Sequence, residues 1–553
     1  MRLSMRCAVV LVLGCATPKP AAQPPPAAPA PQAVVLEGLG PYQRPVTGAT
    51  PEAQRWFDQG LNVLFAFNQD EAIRAFAEAA RLSPGCAMAH WGIAYANGPH
   101  INNAEVDADH AAAAWAALAR AQGAAAAASP VEQALIAALA HRYANPQPKD
   151  RAPLEAAYAD AMREVQRKFP GDADVAALTA EALMDVHPWD YWREDGSAQP
   201  WTWEILRTLS GGLRLEPKHP MLHHLQIHAV EASQHPEAGV ASAEILGGLQ
   251  PGLGHMVHMP SHIFVRTGQW AKAMESNQRA IAQDEAYRAR VPKQGFYSLY
   301  MMHNHQMLAY AAMMSGRGAV ALQAARDLVG QIPPEFRKEA AALVDPYYAM
   351  PLEVMMRFGK WDEILAAPDF AADLPTSRAL RHAARAIAHA ARDDVAHARE
   401  EQALFTAAEA KVPREAIFGL NTSPAVLEVA ARLVDGELLY RTGKAEEGFA
   451  ELRKAVAAED RLKYDEPPEW LQPVRHALGA ALAQSGRFAE AEEVFREDLR
   501  RVPKNGWGLF GLSRALRQQG KAGEAGRIEA QFDAVWQGAD VQLKSACFCQ
   551  QGI

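Results

Sequence analysis

The sequence predicts an all-α protein, a solenoid in which antiparallel helix pairs stack on one another. From Pro51 onward, Ala- and Leu-rich stretches recur at helical spacing and end at Gly, Pro or Asn. Few stretches alternate apolar and polar residues as half-buried strands do. Small and large residues also recur with a period of about 34 residues. Such a period favours stacked repeats over the alternative, a non-repetitive helical bundle.

The repeat pattern is clearest near both ends of the chain. Small residues let two helices pack closely, large ones fill the seam, and a proline ends the second helix. The first unit contains Trp56, Gly60, Ala72, Phe76, Ala79 and Pro84. Later units contain Gly436, Leu439, Gly443, Gly448, Leu452 and Ala455, and then Gly479, Leu482, Gly486, Ala491, Phe495 and Pro503. This spacing resembles that of tetratricopeptide (TPR) repeats, so a TPR-like α-solenoid is expected.

The middle of the chain is less regular. Helices are predicted near 131–144, 152–168, 173–186 and 201–214. By composition we divide the chain into a signal segment (1–14), a Pro/Ala-rich tether (15–45), a His-bearing helical-repeat region (46–415), C-terminal TPR-like repeats (416–540) and a Cys-containing tail (541–553).

Composition narrows the class of protein. The 553 residues are 49% hydrophobic and 22% charged, which excludes a disordered, collagen-like or disulfide-scaffold chain. A net charge of −9 gives no electrostatic reason to bind nucleic acid, and none is expected as a partner. The unusual number is 19 histidines, many of which fall between His187 and His305.

The N-terminus predicts export. Arg2 and Arg6 precede a short apolar run, and residues 12–15 (Val-Leu-Gly-Cys) resemble the bacterial lipobox, in which the cysteine is lipidated. An ordinary secretory signal or a wrongly assigned start codon is the alternative. With Cys15 as acyl anchor and a proline-rich tether behind it, we expect a periplasmic lipoprotein, attached to the outer membrane.

The central histidines share one register. When units begin at Pro220 and Gly254, one repeat apart, the fifth and ninth places are histidine in both. His255 takes the second place of its unit, and Glu231 takes the twelfth place of the other. A further unit near Met302 puts His303 at the second place. These places lie along one helical face, so the following residues are expected to line the concave groove: His224, His228, His255, His258, His262, His303 and Glu231.

This pattern favours a transition-metal site. A pair of histidines four residues apart on a helix is a common half-site, and we expect His224, His228, His258 and His262 to surround one ion. His255 and His303 are the next candidates, and Glu231 is expected to orient an imidazole or accept a proton. Nitrogen ligands suit zinc, copper, iron or nickel. The alternatives are a His-rich groove for an anionic or peptide ligand and a polar packing seam. Pro260 complicates the geometry, because it favours a helix start there.

Other features define no chemistry. Residues 187–192 form an aromatic cluster that either walls the groove or packs a helix corner. Cys86, Cys547 and Cys549 allow one disulfide with a thiol left over, and their pairing stays open. The common enzyme motifs, such as a phosphate loop or His-Glu-x-x-His, are absent from the sequence.

Several segments resemble a His-rich group of bacterial TPR proteins. They are residues 54–60, 86–92, 227–233, 254–263 and 303–305, and the most specific is His258-Met259-Pro260-Ser261-His262. The resemblance implies an exported helical array and leaves its activity open. We therefore expect a groove with a His-based metal centre, either an enzyme or a metal carrier. The rival hypothesis is a metal-free scaffold that binds a peptide or envelope protein in the groove.

Overall fold

The computed structural model describes residues 33–550, and for them the all-α prediction is confirmed. The predicted signal segment, Cys15 and the tether up to residue 32 lie outside the described residues. Within 33–550, the strands are Ile417–Phe418 (β1) and Asn421–Thr422 (β2), which form a small antiparallel hairpin. In the same part of the chain, no helix combines the length and apolar character that crossing a bilayer requires.

The N-terminal helices follow the predicted pattern. Helix α1 begins after Thr50, whose hydroxyl accepts a hydrogen bond from the Ala53 N–H, and Pro51 occupies the first turn. The first four helices are α1 (Pro51–Phe65), α2 (Gln69–Leu82), α3 (Ala87–Ala96) and α4 (Ala108–Ala124). The four helices predicted between residues 131 and 214 are present as α5 (Pro130–Leu139), α6 (Ala152–Lys168), α7 (Ala173–Asp185) and α8 (Thr202–Leu215).

The central helices begin where the repeat register places them, at Pro220 and Gly254. Pro260 starts a new helix, but Met259 has helical dihedral angles (φ −48°, ψ −38°), so the chain continues in nearly the same direction. The helices are α9 (Pro220–Glu231), α10 (Val240–Leu249), α11 (Gly254–His258), α12 (Pro260–Arg266), α13 (Trp270–Arg290), α14 (Ser298–Met314) and α15 (Gly318–Gln331).

The remaining helices complete the array. They are α16 (Pro334–Glu339), α17 (Ala341–Val344), α18 (Met350–Arg357), α19 (Trp361–Ala366), α20 (Pro375–Ala391), α21 (Val395–Glu409), α22 (Ser423–Arg441), α23 (Ala445–Asp460), α24 (Val474–Gln484), α25 (Phe488–Arg501), α26 (Gly506–Gln518) and α27 (Ala522–Trp536). Consecutive helices pack as pairs, including α20 with α21, α22 with α23 and α26 with α27. The architecture is a TPR-like α-solenoid.

Glycines of the repeat pattern allow close helix contact. The ring of Phe76, on α2, lies between α1 and α3, where Cβ atoms added at Gly60 and Gly92 would come within 2.7 and 2.6 Å of it. The ring of Phe495 makes the same contact with Gly479 and Gly511 near the other end of the array. Each phenylalanine lies midway in sequence between its two glycines, at the same spacing in both places. Both ends of the array are therefore built on the same aromatic seam.

Substitution of Gly92 by alanine is expected to destabilise the protein by about 1–3 kcal/mol, because the new methyl group overlaps the buried Phe76 ring. Gly123, in α4, is the matched control, since nothing lies within 4 Å of a Cβ added there. Alanine at this position is expected to stabilise by about 0.5–1 kcal/mol through helix propensity. Urea unfolding midpoints of the two variants check both signs. Equal midpoints would contradict the proposed seam.

The C-terminal repeats pack against the His-bearing region. Trp270 Nε1 donates to the Lys504 carbonyl at 3.0 Å, and Trp507 Nε1 donates to the Met313 carbonyl at 2.8 Å. At the end of the described chain, Cys547 pairs with Cys549, and Cys86 is a buried free thiol. The connection 461–473, between α23 and α24, lies next to the central histidines, since the Tyr464 hydroxyl is 3.4 Å from Glu231 Oε2.

Candidate metal centre

The central histidines are carried by α9, α11–α12 and α14. His219 caps α9: its Nδ1 accepts a hydrogen bond from the Leu222 N–H, and its Nε2 lies 3.1 Å from Asp174 Oδ1. Pro220 then fixes the first turn, which is favourable at that position. The cap sets where α9 begins, and therefore which of its residues face α12.

One set of three histidines forms between α9 and α11. His224 Nε2 lies 3.0 Å from His228 Nε2 and 3.2 Å from His255 Nε2. All three side chains are buried. Nitrogens bound to one zinc ion at about 2.0–2.1 Å lie about 2.9–3.4 Å apart at right or tetrahedral angles. The spacing of this first half-site therefore matches that of ligands around one ion.

A second set forms between α11–α12 and α14. His262 Nε2 lies 2.8 Å from His258 Nε2 and 3.4 Å from His303 Nε2. The rings of His228 and His262 have centroids 5.8 Å apart, so the two sets are neighbours. Each set brings one ligand atom per residue within 4.8 Å of the others. We call this set the second half-site.

Glu231 connects the two half-sites. The Nδ1–H of His228 donates to its Oε1 at 2.6 Å, and Nδ1 of His262 lies 2.6 Å from its Oε2. Burial alone would raise the pKa of this carboxyl, but His262 and His228 outweigh burial and hold the pKa below its ordinary value. Glu231 is therefore ionised and oriented toward one imidazole of each half-site.

The other faces of the rings are held by oxygen atoms. His224 Nδ1 lies 2.7 Å from the Phe65 carbonyl oxygen, and His258 Nδ1 lies 2.7 Å from Asn277 Oδ1. Asn277 uses its own N–H on the Ala273 carbonyl, which fixes the amide orientation. Because these oxygens accept hydrogen bonds, each Nδ1 must carry the hydrogen. The Nε2 atoms that face one another are then bare lone pairs.

Facing lone pairs at this distance need a cation between them. Burial lowers the pKa of His224 and His255 well below the ordinary value, and burial also lowers the pKa of His228 despite Glu231. A bound proton is therefore disfavoured at the first half-site. At the second, burial lowers the pKa of His303 to about 3, whereas Glu231 overcomes burial and raises that of His262. A proton on His262 would compete with a metal ion there.

The arrangement differs from the one expected from the sequence. The repeat register predicts His224, His228, His258 and His262 around one ion, whereas the structure divides them between two half-sites. His255 and His303, the next candidates, each complete one of the sets. Adjacent helices carry the i, i+4 pairs side by side, so each pair takes its third ligand from a different segment.

A cavity of about 210 Å³ opens beside both half-sites. His228, His255, His262 and His303 contribute to its wall. Trp189, part of the aromatic cluster in residues 187–192, also lines the cavity and makes an edge contact with the His228 ring at 5.1 Å. The cavity gives a small molecule access to histidines of both half-sites.

The opposite wall comes from the connection between α23 and α24. Tyr464, Asp465 and Glu466 line the cavity, and the Tyr464 hydroxyl donates to Glu466 Oε2 at 2.7 Å. Burial raises the pKa of Glu466 to about 7. Glu469 lies behind this wall, where burial and Asp465 raise its pKa to about 9. The sequence analysis did not predict this wall. The feature that could have indicated it is the connection 461–473, which is much longer than the turn 442–444 between α22 and α23.

Comparisons with known proteins give likenesses of fold at most. No protein-family model matches the chain, and no curated protein matches it in sequence. The similar solved structures include the APC/C hetero-tetramer Cut9–Hcn1 (10% identity, 91% of this chain and 79% of that chain, TM-score 0.30). They also include the human IFIT1 dimer with m7Gppp-AAAA (11%, 82% and 90%, TM-score 0.34) and the P58(IPK) TPR domain (10%, 85% and 99%, TM-score 0.22). These TM-scores are low, so the fold assignment rests on the helix packing described above.

Proposed function

We propose that the protein is a metalloprotein that holds a transition-metal ion at each of two three-histidine half-sites, and that the centre acts on a small molecule in the adjoining cavity. One observation carries the proposal. Six imidazoles, all buried except that of the half-buried His303, present their Nε2 atoms in two sets of three. Burial of so many polar rings with facing lone pairs is costly unless cations compensate it.

The donor set limits the choice of metal. Imidazole nitrogens suit zinc, copper or iron and disfavour magnesium and calcium, which prefer oxygen. Three protein ligands leave a further coordination position open, as in catalytic rather than structural sites. Bound metal would supply a Lewis acid or a redox centre next to the cavity. This favours an enzyme over a carrier without chemistry.

The chain's own residues orient and enclose the site. Glu231 holds one imidazole of each half-site through Nδ1, which is the role of a carboxylate behind a metal-bound histidine. Both of its oxygens are engaged, which favours orientation over proton transfer. The role of proton acceptor, which the sequence also predicts for Glu231, stays a prediction. Tyr464 and Glu466 lie across the cavity, where the Tyr464 hydroxyl donates to the Glu466 carboxylate and holds it in place opposite the half-sites.

The compartment and the partners remain proposals from the sequence. Arg2, Arg6 and the lipobox-like residues 12–15 support export and an acyl anchor in a bacterial periplasm. Stacked helix pairs also present extended surfaces of the kind that bind protein partners. At the histidines, however, the concave face is covered by the chain's own connection 461–473. A peptide or protein ligand is therefore expected elsewhere on the array.

Elemental analysis of protein purified from the periplasm tests the metal proposal. The parent is expected to hold two ions per chain, one for each half-site. A His228→Ala/His262→Ala double variant removes one ligand from each set and is expected to lose most of both. His397→Ala is the matched control, since that exposed histidine belongs to a separate surface group with His389 and Asp394. Sub-stoichiometric metal in the parent and the variant alike would overturn the proposal.

A further inference from the structure

The cavity beside the half-sites has a mostly apolar and aromatic wall. Trp189, Phe296, Tyr300 and Tyr347 contribute aromatic rings, and Met302 and several Leu side chains add apolar surface. Its volume of about 210 Å³ lies below the ~300–1,000 Å³ of pockets for drug-sized ligands. The ligand that fits is therefore small and has an apolar or aromatic body.

One end of the same cavity carries a buried carboxyl group without a direct ion-pair partner. Glu466 accepts a hydrogen bond from Tyr464, and within residues 33–550 no Lys, Arg or His forms an ion pair with it. Arg266 and His262 act on Glu466 only through their charge, since Arg266 donates to the carbonyls of Glu231 and Ser233 and His262 faces Glu231. A buried carboxylate that lacks a directly bonded cation is unfavourable, which points to a cationic group supplied by a ligand.

A second polar position lies on the same wall. The hydroxyl of Tyr300, which is 6% exposed and lines the cavity, has the side chain of Asn102 as its hydrogen-bonding neighbour. The ring of Tyr300 packs against His255 with centroids 4.5 Å apart. Asn102 Oδ1 makes no hydrogen bond in the described part of the chain, and buried polar atoms are normally hydrogen-bonded, so this oxygen on a cavity wall points to a polar group on the ligand. The cavity therefore has two polar positions, one acidic and one formed by Tyr300 and Asn102.

We infer that the cavity binds a small aromatic or apolar molecule that carries a protonated amine, with the ammonium on Glu466 and the body against the aromatic wall. This inference names the substrate class of the proposed metal centre and so rests on the proposed function. An ammonium–carboxylate hydrogen bond in a buried site is worth roughly 10–100-fold in affinity. The polar end then orients the molecule relative to the half-sites.

Three probes that share a phenyl ring and a two-carbon chain test the inference: phenethylamine, 2-phenylethanol and phenylacetate. Ligand-observed NMR titrations at pH 8 measure their affinities for the zinc-loaded and the metal-stripped protein. At this pH a primary amine is protonated and Glu466 is largely ionised. We expect phenethylamine to bind roughly 10–100-fold more tightly than 2-phenylethanol. Zinc content is measured on the same samples.

Variants of Glu466 locate the ammonium. In Glu466→Gln the ratio of the affinities for phenethylamine and 2-phenylethanol is expected to fall close to one. The affinity for 2-phenylethanol is expected to stay unchanged, which shows that the cavity is intact. Glu466→Asp keeps the charge and is expected to keep most of the preference. Glu447→Gln, at an exposed carboxylate, is the matched control. A preference for phenylacetate, no preference, or a preference that survives Glu466→Gln would overturn the inference.

The two proposals fail separately in this design. An amine preference that depends on Glu466, found in protein without stoichiometric zinc, would support the proposed ligand class and contradict the proposed metal centre. Stoichiometric zinc without an amine preference would support the metal centre and contradict the ligand class.

Discussion

Replacing His224 with alanine is expected to lower bound metal from two ions per chain to one, because His224 belongs to the first half-site alone. Its Nε2 is the nitrogen that His228 and His255 both approach, at 3.0 and 3.2 Å. Without His224, two ligands remain at the first half-site. The loss of metal affinity there is expected to exceed the ~10–100-fold that removal of an outer-shell partner costs. Elemental analysis after dialysis against a weak chelator measures the stoichiometry.

The second half-site gives the complementary variant. His258→Ala is expected to remove the other ion and leave the first, and the His224→Ala/His258→Ala double variant is expected to hold neither. His223→Ala is the matched control: this neighbour is also buried, but its nitrogens contact Ser242 Oγ and the Pro217 carbonyl. Loss of all metal in each single variant would indicate one shared ion, as the sequence register predicts, and would contradict two half-sites.

Glu231→Gln is expected to weaken metal binding at both half-sites by about 10–100-fold each. The carboxylate is buried and lies 2.6 Å from Nδ1 of His228 and 2.6 Å from Nδ1 of His262. Glutamine keeps the shape but removes the charge that makes both imidazoles better ligands. Competition with a chelator of known affinity measures the metal affinity of both half-sites.

Asn277→Ala separates a shared effect from a local one. Asn277 supports His258 only, at 2.7 Å, so its loss is expected to weaken metal binding at the second half-site and spare the first.

In the metal-free protein, Glu231→Gln is also expected to lower the pKa of His262, because Glu231 is the group that raises it. Imidazole NMR signals followed against pH check the sign. An effect of Glu231→Gln on one half-site alone would contradict its linking role.

The fold was largely predictable from local patterns. Helical periodicity predicted an all-α chain, and the repeat period placed helix starts at Pro220 and Gly254, where the structure has them. The glycine–phenylalanine spacing around Phe76 and Phe495 predicted close helix contacts that the structure contains. These predictions succeed because helix geometry fixes the positions of residues three or four apart, whatever the rest of the chain does.

The site was predictable only as far as one helix turn reaches. The pairs His224–His228 and His258–His262 follow from i, i+4 spacing on one helix face. Their division into two half-sites does not, because it depends on the rotation and separation of α9, α11 and α14. Asn277 and the Phe65 carbonyl, which hold two of the rings, come from segments with no spacing relation to the histidines.

The sequence by itself therefore determined the helical repeat and the segments that carry the histidines. The tertiary structure alone decided that the imidazoles form two sets, that Glu231 joins them, and that Tyr464 and Glu466 close the cavity from more than two hundred residues away. The physical reason is that local spacing is fixed by the regular turn of the α-helix. Contacts between distant segments are set by how every helix of the array packs on the next.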